Sequence, residues 1–125
     1  MPKPNDWILF ATADLLASKM LIDSDFALAI VFYHCQQSAE KSLKAYLNYQ
    51  DKHIPKTHDL VGLLNCCIAI DPEFKTLSLD AYDLNPFSTS TRYPDDAYLL
   101  PDATTAKICI EKAEKILEFV KQKVA

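Results

Sequence analysis

Apolar and polar positions along the chain alternate mostly at helical spacing, and the prolines fall between the periodic stretches. From Asn5 to Ile54 there is neither proline nor glycine. This uninterrupted half predicts two helices. The first runs from about Asp6 to Leu21, with Leu9, Ala13, Leu16, Ala17 and Met20 on one face and Ile8, Ala11 and Leu15 as a second stripe. Two apolar stripes on one helix predict two neighbours, or one neighbour and a second copy of the chain. The second helix is predicted to start just before Phe26, capped by Asp23 or Ser24, and to continue through Leu47. Its early turns (Leu28, Ala29, Ile30, Val31, Phe32, Tyr33) are apolar in nearly every direction, so that end is expected to be enclosed as a bundle's centre. Further along, Tyr33, Gln37, Glu40 and Lys44 line up as a polar seam beside Phe32, Ala39, Leu43 and Leu47. The short turn around Asp23 predicts an antiparallel hairpin.

Pro55 ends this region, and Thr57 is the expected cap of a third helix whose stripe is Leu60, Leu63, Leu64, Cys67 and Ile68, ending near Ile70. Asp71 followed by Pro72 predicts a restart into a short fourth helix with Phe74, Leu77 and either Ala81 or Tyr82 inward. Residues 85–102, NPFSTSTRYPDDAYLLPD, contain three prolines and four consecutive hydroxyl residues, which predicts the one substantial loop. Asp102 then caps a final helix with Ala106, Cys109, Ile110, Ala113, Ile116, Leu117, Val120 and Val124 on one stripe, leaving Ile108 and Phe119 on its outer side. Glu111 with Lys115 and Glu118 with Lys121 are expected surface pairs. The prediction is an all-α, up-down bundle of about five helices with one long loop before the last, and 125 residues make it a single domain spanning 1–125.

Charge narrows the function classes. A net charge of −4 and a pI near 5.2 argue against a surface for duplex DNA or anionic membrane. No charged-apolar-small leader pattern or long apolar run is present, so a cytoplasmic protein is expected. Cys35, Cys66, Cys67 and Cys109 lie in apolar helical pattern and are expected to be reduced, buried thiols.

Arg92 is the only arginine among thirteen Lys and Arg residues, and it sits among Ser88, Thr89, Ser90 and Thr91. A guanidinium grips phosphate or carboxylate oxygens two at a time, so Arg92 is either a ligand contact or a structural ion pair with Asp95 or Asp96. His58, following Thr57, sits where the positive end of the third helix favours a neutral, accepting ring; it either serves a site or packs at the helix start. His34 and His53 have no partner at metal spacing, and neither a metal nor a cofactor is assigned. Gly62 is the only glycine, which rules out a glycine-rich phosphate loop.

Three stretches taken together, FYHCQQSAEKSLKAYL, PKTHDLVGLL and STRYPDD, in this order and spacing, resemble the HEPN (higher eukaryotes and prokaryotes nucleotide-binding) family over roughly Asp6 to the end. The resemblance implies a helical bundle that commonly forms a homodimer and works through nucleotides or RNA. It also implies a minimal nucleotidyltransferase as protein partner, often in a toxin–antitoxin pair. Some members are metal-independent endoribonucleases with a histidine four to six residues after the arginine. Here the positions at that distance include Ala97 and Tyr98, with Leu99 just beyond, and no histidine follows His58, so no catalytic residue is assigned. The resemblance therefore points to a nucleotide-binding or interaction subunit, with a ribonuclease using Arg92 and a different base, or an antitoxin-like scaffold without a ligand, as alternatives. Arg92, with Ser90, Thr91 and Tyr93 beside it and Lys44, Gln37, Glu40 and His58 added from the other two stretches, forms the candidate phosphate site. Gln37, Glu40, Lys41 and Lys44 match the second-helix signature; they either orient Arg92, line a dimer cleft, or simply face solvent.

Overall fold

In a computed structural model, residues 1–24, 27–88 and 102–125 are described, and among them the chain is all-α. Five helices follow in order: α1 Pro4–Leu21, α2 Leu28–Tyr49, α3 Leu60–Ile70, α4 Ser78–Leu84 and α5 Ala103–Lys123. The 3-10 turns Pro72–Leu77 and Asn85–Ser88 flank α4. No helix of the described residues is long and apolar enough to cross a membrane.

Pro4 at the first helical position begins α1, and the Asp6 carboxylate accepts the Lys3 amide at 2.8 Å, satisfying one of the free N–H groups. The inward face of α1 is the second predicted stripe: Ala11, Asp14, Leu15 and Ser18 are buried. The first stripe faces outward, with Leu9, Leu16 and Met20 exposed. Small residues decide between the two faces. Ala11 and Ser18 allow α2 close enough for Ser38 to donate to the Ala11 carbonyl at 2.8 Å and Ser18 to the Val31 carbonyl at 3.3 Å. Contacts that pair 18 with 31, 11 with 38 and 2 with 48 run in opposite directions, so α1 and α2 form the antiparallel hairpin.

α2 packs against the other four α-helices and is the centre of the molecule. Its start and its enclosure differ from expectation. It begins at Leu28 rather than before Phe26, which is outside the described residues, and neither Asp23 nor Ser24 caps it; backbone bonds from Ser24 to Leu21 and from Ala27 to Ser24 close the turn. All-round burial falls on the second half: every residue from Cys35 to Leu47 except Lys41 is buried, whereas Ile30 near the start is exposed. The helix ends with Asp51 in the left-handed region (φ 54), Lys52 N–H donating to the Leu47 carbonyl and Asp51 N–H to the Asn48 carbonyl. This paired closure normally uses glycine, and a short polar side chain is the usual substitute. Residues 51–59 then run back beside α2, because Pro55 forbids a helix there and the His58 carbonyl meets the Gln36 amide at 2.9 Å.

Asp59 caps α3, not Thr57: its carboxylate accepts from Val61, and Thr57 instead accepts the Asp59 amide. A Cβ on Gly62 would lie 2.9 Å from that carboxylate, which accounts for the single glycine. Asp71 and Pro72 start the next turn as predicted, and of the two candidates in α4 Ala81 is buried, together with Asp80 and Leu84, while Tyr82 is exposed. Asp102 accepts from the Thr105 amide and hydroxyl to begin α5. The α5 stripe from Ala106 to Val120 is buried, with Val124 only partly so. Phe119 is not left outside, because Phe74 reaches it at 4.9 Å and joins it to Tyr46. Ile108 is exposed. Glu118–Lys121 forms on the surface, but Lys115 pairs with Asp80 rather than with Glu111. Cys35, Cys67 and Cys109 are buried; Cys66, one position round α3 from Cys67, is exposed.

Candidate functional site

The polar seam of α2 is buried and built around one carboxylate. Glu40 is 4% exposed. Its Oε1 accepts from His58 Nδ1 at 2.9 Å, Gln36 Nε2 at 3.3 Å and Gln37 Nε2 at 3.4 Å, while Oε2 meets Lys44 Nζ at 3.1 Å. Gln37 also donates to Gln36 Oε1 at 2.8 Å. Burying such groups costs several kcal/mol unless they satisfy each other, and here the amides, the carboxylate and the ammonium do so. The structure thus brings together Gln37, Glu40, Lys44 and His58, and the seam is not a solvated helix face. Gln36, fully buried, was missed; its spacing of four from Glu40 and eight from Lys44 was the available signal.

His58 is the seam's opening to solvent, with its side chain 66% exposed. Its partner is the Glu40 carboxylate rather than the first amides of α3. A carboxylate only accepts, so in the neutral ring the proton sits on Nδ1 and Nε2 carries the lone pair. At the other end, Lys44 Nζ lies 5.9 Å from the Trp7 ring centroid, within cation–π range.

A second cluster links α1 to α2. Asp14, 8% exposed, meets His34 Nδ1 at 2.7 Å and Lys41 Nζ at 2.6 Å, so His34 does have a carboxylate partner, and Lys41 belongs here rather than to the seam. Asp14 and His34 are twenty positions apart on different helices, and only the hairpin brings them together. Among the described residues, no group of three or more His, Cys, Asp or Glu side chains is placed to hold a metal.

Ser90, Thr91, Arg92 and Tyr93 lie outside the described residues, as do Asp95, Asp96, Tyr98, Leu99 and Leu100. The segment leading into them is fixed at two points. Asn85 Oδ1 accepts the Leu60 amide at 2.8 Å and Asn85 Nδ2 donates to Asp59 at 3.2 Å, both immediately after His58 in the chain. Phe87 stacks on Phe32 of α2 with ring centroids 4.7 Å apart.

The family model described as the HEPN domain matches residues 4–123. Two solved structures share the fold. The crystal structure of TT1696 from Thermus thermophilus is 26% identical with a TM-score of 0.83, over 98% of this chain and 99% of that one. ST0689, an archaeal HEPN homologue, is 26% identical with a TM-score of 0.81, over 100% of both chains. No curated protein sequence matches significantly.

Proposed function

The chain belongs to the HEPN domain family, and on that footing we propose that it is a nucleotide-binding or interaction subunit that holds a phosphate with Arg92 beside the α2 seam. The observation that carries this reading is the buried Glu40 network, which presents one exposed imidazole, His58, next to the point where Asn85 ties down the start of the Arg92 segment. The protein acts as a homodimer, using the outward stripe of α1, where Leu9, Phe10, Leu16 and Met20 are each more than half exposed. Covering such side chains is worth ~1.5–3 kcal/mol each, and closed two-fold pairing is the common solution. A minimal nucleotidyltransferase is its protein partner in a toxin–antitoxin-type module. Calorimetric titration with nucleoside triphosphates tests the site: Arg92→Ala should weaken binding roughly ten- to a hundred-fold. Equal affinity removes Arg92 from it. Light scattering should give twice 14.1 kDa, and a clean monomer mass ends the dimer reading.

The Glu40–His58 pair favours one other reading, metal-independent RNA cleavage, because a carboxylate on Nδ1 and a free Nε2 are what a general base needs. Cleavage that survives chelation and is lost in His58→Ala supports it. A purified sample that leaves RNA intact with or without magnesium ends it.

A further inference from the structure

Between the start of α1 and the returning segment 51–59 lies a cleft of about 450 Å³, within the range of small-ligand sites. Its charged wall is Lys44, Lys52 and Lys56 with His53; its apolar wall includes Trp7, Ile54 and Pro55. Among the described residues no carboxylate lines it, although the chain carries 17 acidic against 13 basic residues. Several other lysines are tied up: Lys19, Lys41, Lys112 and Lys123 each sit within 3.0 Å of a carboxylate oxygen. Lys52 and Lys56 are exposed and have no ion pair among the described residues. The backbone holds them there. Asp51 turns the chain sharply out of α2, and Pro55 keeps itself and Ile54 out of helix, so the segment carrying both lysines passes back beside Lys44 and Asn48.

We propose that this cleft binds a nucleoside phosphate unit, free or within single-stranded RNA, with Lys52 and Lys56 on the phosphate and Trp7 against the base. Clustered ammonium groups without carboxylates select a polyanion, and the adjoining indole and proline walls select one with a flat, apolar part; base–aromatic packing joined to a cationic groove is how single strands are held. Fatty or aliphatic anions lack the flat ring, and duplex DNA is too wide for a cleft of this volume. The ligand class is that of the reading above, on which the inference rests in this one respect. The site differs, being built from described residues of α1, α2 and segment 51–59. Lys44 connects the two, since it both lines the cleft and pairs with Glu40.

Trp7 is the only tryptophan and lines both this cleft and a neighbouring pocket beside Phe10, so its emission reports this end of the molecule and the lysine variant assigns the signal to the cleft. Full-length protein is titrated with adenosine monophosphate, with a short oligouridylate and with polyglutamate, at two salt concentrations. Saturable quenching by a nucleotide or the oligonucleotide is expected, weaker at higher salt and about ten-fold weaker in Lys52→Glu/Lys56→Glu. Oligonucleotide binding about ten-fold tighter than the mononucleotide assigns the site to an RNA strand, and equal binding to a free nucleotide. No quenching by either, equal quenching in the double-lysine variant, or equal quenching by polyglutamate overturns the site. Loss of quenching in the double-lysine variant, with calorimetry of that variant still showing triphosphate binding, separates this cleft from the Arg92 reading. Both lysines are exposed, and the double variant is checked for native helicity before titration.

Discussion

Replacing Glu40 by alanine removes the acceptor shared by Gln36, Gln37, Lys44 and His58, and the cost is uneven among them. Gln36 keeps the His58 carbonyl, Gln37 keeps Gln36 Oε1, and His58 can turn to water. Lys44 cannot escape so easily, because its side chain is only 10% exposed. Removing one partner of a buried pair costs ~3–5 kcal/mol when the other is trapped. Lys44 also borders the cleft, which gives its ammonium a short route to water, so the expected loss for Glu40→Ala is ~2–4 kcal/mol. With a urea dependence of about 2 kcal/mol per M, the unfolding midpoint should fall by ~1–2 M. Adding Lys44→Met removes the stranded charge, and the double variant should recover ~1–2 kcal/mol relative to Glu40→Ala alone. A loss below about 1 kcal/mol for Glu40→Ala, or strictly additive single and double variants, would refute a coupled buried network.

Asp51→Gly should raise stability by up to ~1 kcal/mol, since glycine escapes the left-handed penalty of ~1–2 kcal/mol at φ 54 while giving back part of it in chain entropy, and Asp51→Val should lower it; thermal unfolding of both checks the sign. Asp102, bonded by the Thr105 amide and hydroxyl, and Asp71, bonded by Lys123 and the Glu73 amide, are held below the usual carboxylate range. Their contribution is therefore full above the unfolded value near 3.9 and lost as pH falls through the lower folded values, so Asp71→Asn should flatten the melting-temperature profile in that acid window. Burial pushes the Cys35 thiol up to about 11 and Cys67 and Cys109 up to about 12, whereas Cys66 is exposed, so one thiol per folded chain should react with Ellman's reagent and four after denaturation. More than one fast thiol would contradict the packing.

The sequence carries local chemistry well and tertiary choices poorly. Asp71–Pro72 and Asp102 are readable because a cap acts on amides two or three residues away, and the α5 stripe because one face of a long helix repeats. The seam is readable up to its direction: Gln37, Glu40 and Lys44 share a face, but their burial depends on α1 and the His58 segment closing over them. The inward face of α1 is not legible because both stripes are apolar, and small residues, Ala11 and Ser18 against Val31 and Ser38, decide between them through close approach. The partners of His34 and Phe119 come from Asp14 and Phe74, far away in sequence. Thr57 and Asp59 are both good caps, and the Asn85 clamp, 26 positions from Asp59, distinguishes them.

Because α2 is enclosed on nearly every side between Cys35 and Leu47, its tolerance to a change of length differs from its tolerance to a change of side chain. Inserting or deleting one residue there turns everything beyond it by about 100°. A deletion would turn Lys44 into the place now held by Leu43, and an insertion would instead put Leu43 in the place of Lys44. The turn at Asp51 would leave in a new direction and carry Lys52 and Lys56 away from Trp7. Substitutions in this helix act one at a time, whereas a change in its residue count scrambles packing, network and cleft together. Length variation that preserves the molecule is therefore confined to the connectors, and the spacing from Phe32 to Asp51 acts as the ruler that sets the distance between its two ends.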